Sequence, residues 1–170
     1  MAKWKKWAKE LAVMAVVMLI AASAIGYLRA PSYDDAALPS VQVSKLYGMA
    51  YDSTEKPDKP YVLHFWATWC PVCRAEAANI DALARDAKVI TVAVKSGGLD
   101  EIHNYMRENG LSFPVVNDQN GAIATQFKIT VFPTTIIVGR DGKVFWAESG
   151  YTTTWGLKFR LWLAQRFNRP

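Results

Sequence analysis

Uncharged runs and helical patterns alternate along the chain, and their order predicts its architecture. Residues 61–66 and 89–94 are short apolar runs rich in strand-favouring side chains, and we expect both to be buried central strands. Residues 134–138 and 143–146 flank an Asp-Gly turn and are predicted to pair as an antiparallel hairpin. Weaker signals predict edge strands or a short hairpin at residues 41–43 and 46–51, and a further edge segment at 113–116.

Helical patterns follow both buried runs and also end the chain. They are predicted at residues 71–86, 100–109, 122–127 and 152–169. In the last helix, Trp155, Phe159 and Trp162 recur at helical spacing and are predicted to face the sheet. The polar residues of that helix, predicted to face water, are Lys158, Arg166 and Arg169. This order of elements predicts an α/β fold with a central mixed sheet flanked by helices.

The N-terminus has the pattern of a membrane anchor. Residues 1–10 are basic, and residues 11–28 carry no charged side chain, a length within the roughly 17–25 residues of a spanning helix. The lysines predict that residues 1–10 stay in the cytoplasm and that the rest is exported. A cleaved signal peptide is the alternative, because Ala22-Ser23-Ala24 is typical of a cleavage site; the apolar run continues past it, which favours an uncleaved anchor.

The remaining chain is predicted to be a linker, residues 29–39, and one domain, residues 40–170. Its charge is nearly balanced: residues 30–170 hold fifteen Lys or Arg against fourteen acids, whereas residues 1–29 hold five against one. The basicity of the whole chain is therefore a signal of membrane topology and gives no support for nucleic-acid binding.

The chemistry-bearing pattern is Cys70-Pro71-Val72-Cys73, which contains both cysteines of the chain. It lies where the predicted strand ends and a helix begins, and Pro71 suits the first helical position. A thiol at a helix N-terminus has a lowered pKa, so Cys70 is the predicted nucleophile and Cys73 the resolving thiol. A structural disulfide, or half of a metal site with His64 and His103, are the alternatives; no second cysteine pair completes a four-cysteine zinc site.

These residues also carry a family resemblance. The segment FWATWCPVC at residues 65–73 resembles the active-site segment of thioredoxins, and VFPTT at 131–135 resembles their cis-proline loop. The similarity spans residues 40–168 and implies a thioredoxin fold preceded by one transmembrane helix. The chain most resembles the membrane-tethered TlpA and ResA type of bacterial thiol-disulfide oxidoreductase, particularly the copper-sensitivity suppressor D group. That resemblance implies a single-pass protein of the bacterial inner membrane with its catalytic domain in the periplasm.

The resemblance also assigns expectations to residues around the dithiol. The Phe132-Pro133 bond should be cis and lie beside Cys70, where it would help to hold an extended substrate chain as an added strand. An ordinary turn proline is the alternative. Trp69 is expected to form a surface lid that contacts partner proteins, whereas Trp66 is expected in the core.

Besides Trp69 and Pro71, two ionisable residues are candidates for tuning the thiols. His64 stands where thioredoxins place a buried acid, and we hypothesise that its neutral imidazole takes the proton of Cys73, because imidazole titrates near the pH of exchange. A core histidine bonded to a backbone carbonyl is the alternative. Glu76, three residues after Cys73, by resemblance tunes the thiols or gates substrate. The family's following proline is replaced by Ala77, and a solvated first-turn acid is the alternative.

The predicted activity is reduction of protein disulfides by the dithiol, without cofactor or metal. By resemblance, a membrane thiol-disulfide electron transporter restores the dithiol, and the role is to maintain thiols of an envelope partner under copper stress. The open alternatives are a cytochrome c maturation reductase, a disulfide oxidase or isomerase, and a Cu(I)-binding module that uses the two thiolates. Pro71-Val72 lacks the histidine of strongly oxidising pairs, and no methionine-rich or histidine-rich tract supports copper binding.

Overall fold

The computed structural model describes residues 2–31, 33, 38–39, 42–46, 49–52 and 57–168. Its helices are α1 (Ala2–Arg29), α2 (Pro71–Ala84), α3 (Leu99–Glu108), α4 (Ala122–Gln126) and α5 (Thr154–Phe167). Its strands are β1 (Gln42–Leu46), β2 (Met49–Asp52), β3 (Tyr61–Trp66), β4 (Val89–Val94), β5 (Val115–Asp118), β6 (Thr134–Val138) and β7 (Val144–Ser149).

The central sheet has the strand order β5-β4-β3-β6-β7. Strands β3, β4 and β5 pair in parallel, whereas β6 pairs antiparallel with both β3 and β7. The predicted mixed sheet flanked by helices is therefore confirmed. Strands β1 and β2 form a separate antiparallel pair, as the hairpin prediction allowed; residues 41, 47 and 48 of that prediction lie outside the described residues.

Apolar clusters cover both faces of the sheet, and the alternation along β3 divides its side chains between them. Leu63 and Phe65 pack with residues of β4, β6 and α4 on one face. Val62 and Trp66 pack on the other face with the cysteines and with apolar residues of α2, α3 and α5. The dithiol is thus attached to a core that is buried on both sides of the strand leading to it.

The predicted orientation of α5 is wrong. Leu157 and Ala164 are the fully buried residues of this helix, whereas Trp155, Phe159 and Trp162 are exposed. The inward face is made of small and branched side chains, which let α5 approach α2 closely. The same orientation brings Arg160 to Glu148, a buried glutamate on β7. Lys158 and Arg166 belong to α5 as predicted, and Arg169 lies outside the described residues.

The N-terminal helix α1 is continuous from Ala2 to Arg29, and its end packs on β7, where the Tyr27 and Trp146 rings lie 5.5 Å apart. Among the described residues, no helix combines the length and the apolarity that crossing a membrane requires. The predicted span at residues 11–28 is not confirmed. Much of the predicted linker at 29–39 lies outside the described residues.

Candidate active site

The two cysteines form a disulfide at the start of α2, with a Cα–Cα distance of 5.2 Å. Cys70 is the N-cap residue, Pro71 opens the helix, and the Cys73 amide donates a hydrogen bond to Cys70 Sγ at 3.2 Å. The sulfur of Cys70 therefore takes the place of a capping oxygen, accepting from an amide that has no carbonyl partner within the helix. In the reduced protein, the same amide and the helix dipole favour a Cys70 thiolate.

Aromatic side chains connect the dithiol to the proline loop. Trp69 stands edge-on to Phe132 with ring centroids 5.6 Å apart, and its indole N–H donates to the Lys95 carbonyl at 3.1 Å. The Phe132-Pro133 bond is cis, as predicted, whereas its position beside Cys70 stays a prediction. Trp69 is 55% exposed, so the predicted surface position is confirmed, and Trp66 lies in the core as predicted. The contacts of Trp69 and Phe132 with a substrate remain predictions.

Glu76 is fully buried, so its interpretation as a solvated first-turn acid is wrong. Its Oε1 accepts hydrogen bonds from the Thr152 amide at 3.0 Å and from the Thr152 hydroxyl, while Oε2 has no hydrogen-bond partner among the residues that the structure describes. Burial raises the pKa of Glu76 to about 7, against the lowering effect of the two Thr152 hydrogen bonds and with a smaller contribution from the charge of Glu148. The carboxyl therefore titrates near neutral pH.

A second buried carboxyl, Glu148, lies on β7, and its negative charge contributes to the raised pKa of Glu76. Its Oε2 forms an ion pair with Arg160 Nη2 at 2.7 Å. Burial raises the pKa of Glu148, and the positive charge of Arg160 opposes that rise. In the register of the sheet, Glu148 on β7 is paired with Thr135 on β6, and Thr135 is paired in turn with His64 on β3. A polar row thus crosses the sheet beneath α2.

His64 is a buried member of that row, and its Nδ1 shares a hydrogen bond of 3.0 Å with Thr135 Oγ1. Burial lowers the pKa of His64 to about 3. The premise that this imidazole titrates near the pH of exchange is therefore wrong, because desolvation disfavours the imidazolium. The alternative partner, a backbone carbonyl, is replaced by the hydroxyl of Thr135. Of the two ionisable tuning candidates, Glu76 has the pKa suited to proton transfer at neutral pH.

Sequence reasoning missed Thr152, Glu148 and Arg160. The predicted hairpin strand ended at residue 146, so the sequence placed Glu148 outside it; in the structure this acid lies inside β7, where burial requires a cation. Nothing local indicated that Arg160 would supply it. Within the described part of the chain, no group of three or more His, Cys, Asp or Glu could hold a metal ion, and His103 lies on α3.

Comparison with known proteins relates this geometry to a family. A family model described as Redoxin matches residues 34–157. A thioredoxin-like protein of Haemophilus influenzae is 32% identical over 168 residues, which cover 97% of this chain and 99% of that protein. The thiol-disulfide oxidoreductase ResA of Bacillus cereus is 26% identical over 150 residues, covering 81% of this chain and 87% of that protein.

A solved structure confirms the fold. StoA from Bacillus subtilis superposes with a TM-score of 0.64 at 24% sequence identity, covering 74% of this chain and 98% of that one. The predicted thioredoxin fold is therefore confirmed for the domain that carries the dithiol. Since the Redoxin model matches most of the chain and the Haemophilus relative matches nearly all of it, the chain belongs to the Redoxin family and is a thioredoxin-like thiol-disulfide oxidoreductase.

Proposed function

We propose that the chain is a membrane-tethered reductase of disulfides in proteins of the bacterial envelope. The observation that carries the proposal is the disulfide at the N-terminus of α2, in which Cys70 Sγ accepts the Cys73 amide. This arrangement stabilises the thiolate of the attacking cysteine when the pair is reduced. The name of the ResA relative, thiol-disulfide oxidoreductase, supports the same chemistry.

The reaction proceeds by two exchanges. The Cys70 thiolate attacks a substrate disulfide, forming a mixed disulfide and releasing one substrate thiolate, which takes a proton from solvent. The Cys73 thiol then passes its proton to solvent and attacks Cys70 Sγ, which breaks the mixed disulfide and expels the second substrate thiolate to be protonated in turn. Two electrons pass to the substrate, and the chain is left with the Cys70–Cys73 disulfide. A dithiol donor must return two electrons and two protons; we propose a membrane thiol-disulfide electron transporter.

Substrate recognition is proposed for the surface beside the dithiol. Trp69 and Phe132 contact each other there, and the cis Phe132-Pro133 bond precedes the backbone of β6. An extended segment of a protein substrate would pair with this backbone while its disulfide meets Cys70. The role in copper tolerance rests on the resemblance to the copper-sensitivity suppressor D group alone. Loss of copper resistance in a bacterium lacking the chain, restored by the wild type but not by Cys70→Ser, tests that role.

Tethering is proposed for α1. Its support is the uncharged sequence at residues 11–28 and the exposure of its apolar side chains, including Val17, Met18 and Ile20. Fractionation of the full chain tests it: an integral anchor stays with membranes after alkaline carbonate washing. Recovery of the whole chain in the soluble fraction, or a processed chain beginning after residue 24, would refute the tether.

Trapping and equilibrium measurements test the chemistry. Cys73→Ser in the full chain should accumulate mixed disulfides that dithiothreitol reverses, whereas Cys70→Ser should accumulate none. The direction follows from equilibration against a dithiol buffer: a reduction potential near −270 mV, as in thioredoxin, supports a reductase. A potential near −120 mV would make the chain an oxidant and refute the proposed direction.

A further inference from the structure

Three aromatic side chains of α5 form an exposed row. Trp155, Phe159 and Trp162 are spaced by four and three residues and are 81%, 60% and 55% exposed. The Phe159 and Trp162 rings stack with centroids 6.0 Å apart, so the row is continuous over that turn. We call these residues the α5 aromatic stripe. Exposed apolar side chains clustered in this way, on a helix whose opposite face is already buried, indicate a binding surface.

The surroundings of the α5 aromatic stripe are basic. Helix α5 contains no acid and three basic residues, of which Arg160 is turned inward to Glu148 and Lys158 pairs with Asp86. Lys158 Nζ lies 5.6 Å from the centre of the Trp155 ring, and Arg166 is exposed at the end of the helix. A groove bordered by Trp162 and Lys158 is also lined by Lys59, Arg85 and Lys88, and within the described part of the chain its acidic lining residue is Asp86.

We propose that the α5 aromatic stripe docks on an anionic membrane surface. Tryptophan and phenylalanine are favoured at the boundary between headgroups and acyl chains, and lysine and arginine beside them attract anionic lipids. A second copy of the chain fits less well, because pairing two stripes would bring the basic residues of both helices together. The proposal does not require α1 to span the bilayer.

The placement of α5 fits such docking without covering the dithiol. Thr154 Oγ1 donates to the Asn79 carbonyl at 3.1 Å and Lys158 pairs with Asp86 at 2.6 Å, so α5 runs alongside the later part of α2. The cysteines lie at the opposite end of α2. The end of α1 is also near, since Trp146 contacts Tyr27 and the guanidinium of Arg160. A membrane on this side would not cover the end of α2 that carries Cys70, which is itself only 4% exposed.

Fluorescence of the full chain in lipid vesicles tests the proposal. The difference in emission between the wild type and Trp155→Phe/Trp162→Phe reports these two tryptophans, while phenylalanine keeps the stripe aromatic. Vesicles are made of phosphatidylcholine alone or mixed with phosphatidylglycerol, each with and without brominated acyl chains as the quencher. Quenching of the difference signal should be at least about twofold stronger in the anionic vesicles and should weaken at high salt.

The matched control is Trp69→Phe, because Trp69 is as exposed as Trp162 but lies beside the dithiol. Its difference signal should show no such quenching. Absence of extra quenching for Trp155 and Trp162 in anionic vesicles, or equal quenching of Trp69, would overturn the proposal. So would sedimentation showing a dimer that Trp155→Ser/Phe159→Ser/Trp162→Ser dissociates, since the stripe would then be covered by a second copy.

Discussion

Ionisation of Glu76 should make the stability of the folded chain fall as the pH rises, and Glu76→Gln should remove that fall. In the unfolded chain the carboxyl titrates near its ordinary value of 4.5, whereas burial raises its pKa to about 7 in the folded chain. The stabilisation is therefore fully present below pH 4.5 and is lost as the pH rises through 7. The shift corresponds to about 3 kcal/mol of unfolding free energy.

Glutamine resembles the protonated carboxyl, and its amide oxygen can accept both hydrogen bonds from Thr152 that Oε1 now accepts. Below pH 4.5, we expect the difference in free energy of unfolding between the wild type and Glu76→Gln to stay constant as the pH changes. The variant should gain about 3 kcal/mol relative to the wild type between pH 4.5 and pH 8. Urea denaturation of the oxidised chain across this range, followed by tryptophan fluorescence, measures the difference.

Glu108→Gln is the control, because Glu108 is an exposed glutamate on α3. Its denaturation profile should run parallel to that of the wild type. Parallel profiles for Glu76→Gln as well would refute the reasoning, since they would mean that Glu76 binds its proton equally in both states. Glu148→Gln extends the test: loss of one negative charge and release of the Arg160 cation both favour the Glu76 carboxylate. The pKa of Glu76 in the folded variant should therefore be less raised, so its loss of stability with rising pH should be smaller than that of the wild type and should end at a lower pH, while the onset near pH 4.5 is unchanged.

Three further substitutions test other parts of the site. His64→Leu should reduce the loss of unfolding free energy between pH 6.5 and pH 4 by about 3 kcal/mol, because burial lowers the pKa of His64 to about 3 and the unfolded chain alone binds the proton; equal slopes in urea titrations would contradict this. Arg160→Met should destabilise the chain by about 3 kcal/mol by leaving Glu148 buried without a cation, whereas Lys158→Met, at an exposed pair, should have a small effect. Trp69→Ala should slow reduction of a protein disulfide about tenfold while leaving reduction of a small disulfide nearly unchanged, and equal slowing of both would assign Trp69 to the dithiol itself.

Local sequence patterns predicted the parts of the site that are formed by neighbouring residues. A strand, a cysteine and a proline at a helix start determine their own geometry through backbone preferences, and the structure has Cys70 as the cap of α2. The boundaries of β5 and β7 differ from prediction by one to three residues, because pairing with β4 and β6 decides where those strands end. The environment of Glu76 was not predictable in this way. Its partner Thr152 is distant in sequence, and burial of the carboxyl depends on how α5 packs.

The orientation of α5 shows why helical periodicity alone misled. Two apolar rows of α5 have helical spacing: one at positions 155, 159 and 162, and one with smaller side chains at 157, 161 and 164. The sequence pattern does not indicate which of the two rows packs against the rest of the domain. The cap at Thr153, whose hydroxyl accepts the Gly156 amide, starts the helix beside α2. There the close approach of two helices admits Leu157 and Ala164 but not a tryptophan. Arg160, on the inward side, reaches Glu148, and turning the aromatic row inward would leave that carboxylate without its cation. The orientation of α5 therefore has two consequences. It brings Arg160 to Glu148, and it leaves the α5 aromatic stripe exposed. A variant that changes one of these two surfaces should be assayed for its effect on the other.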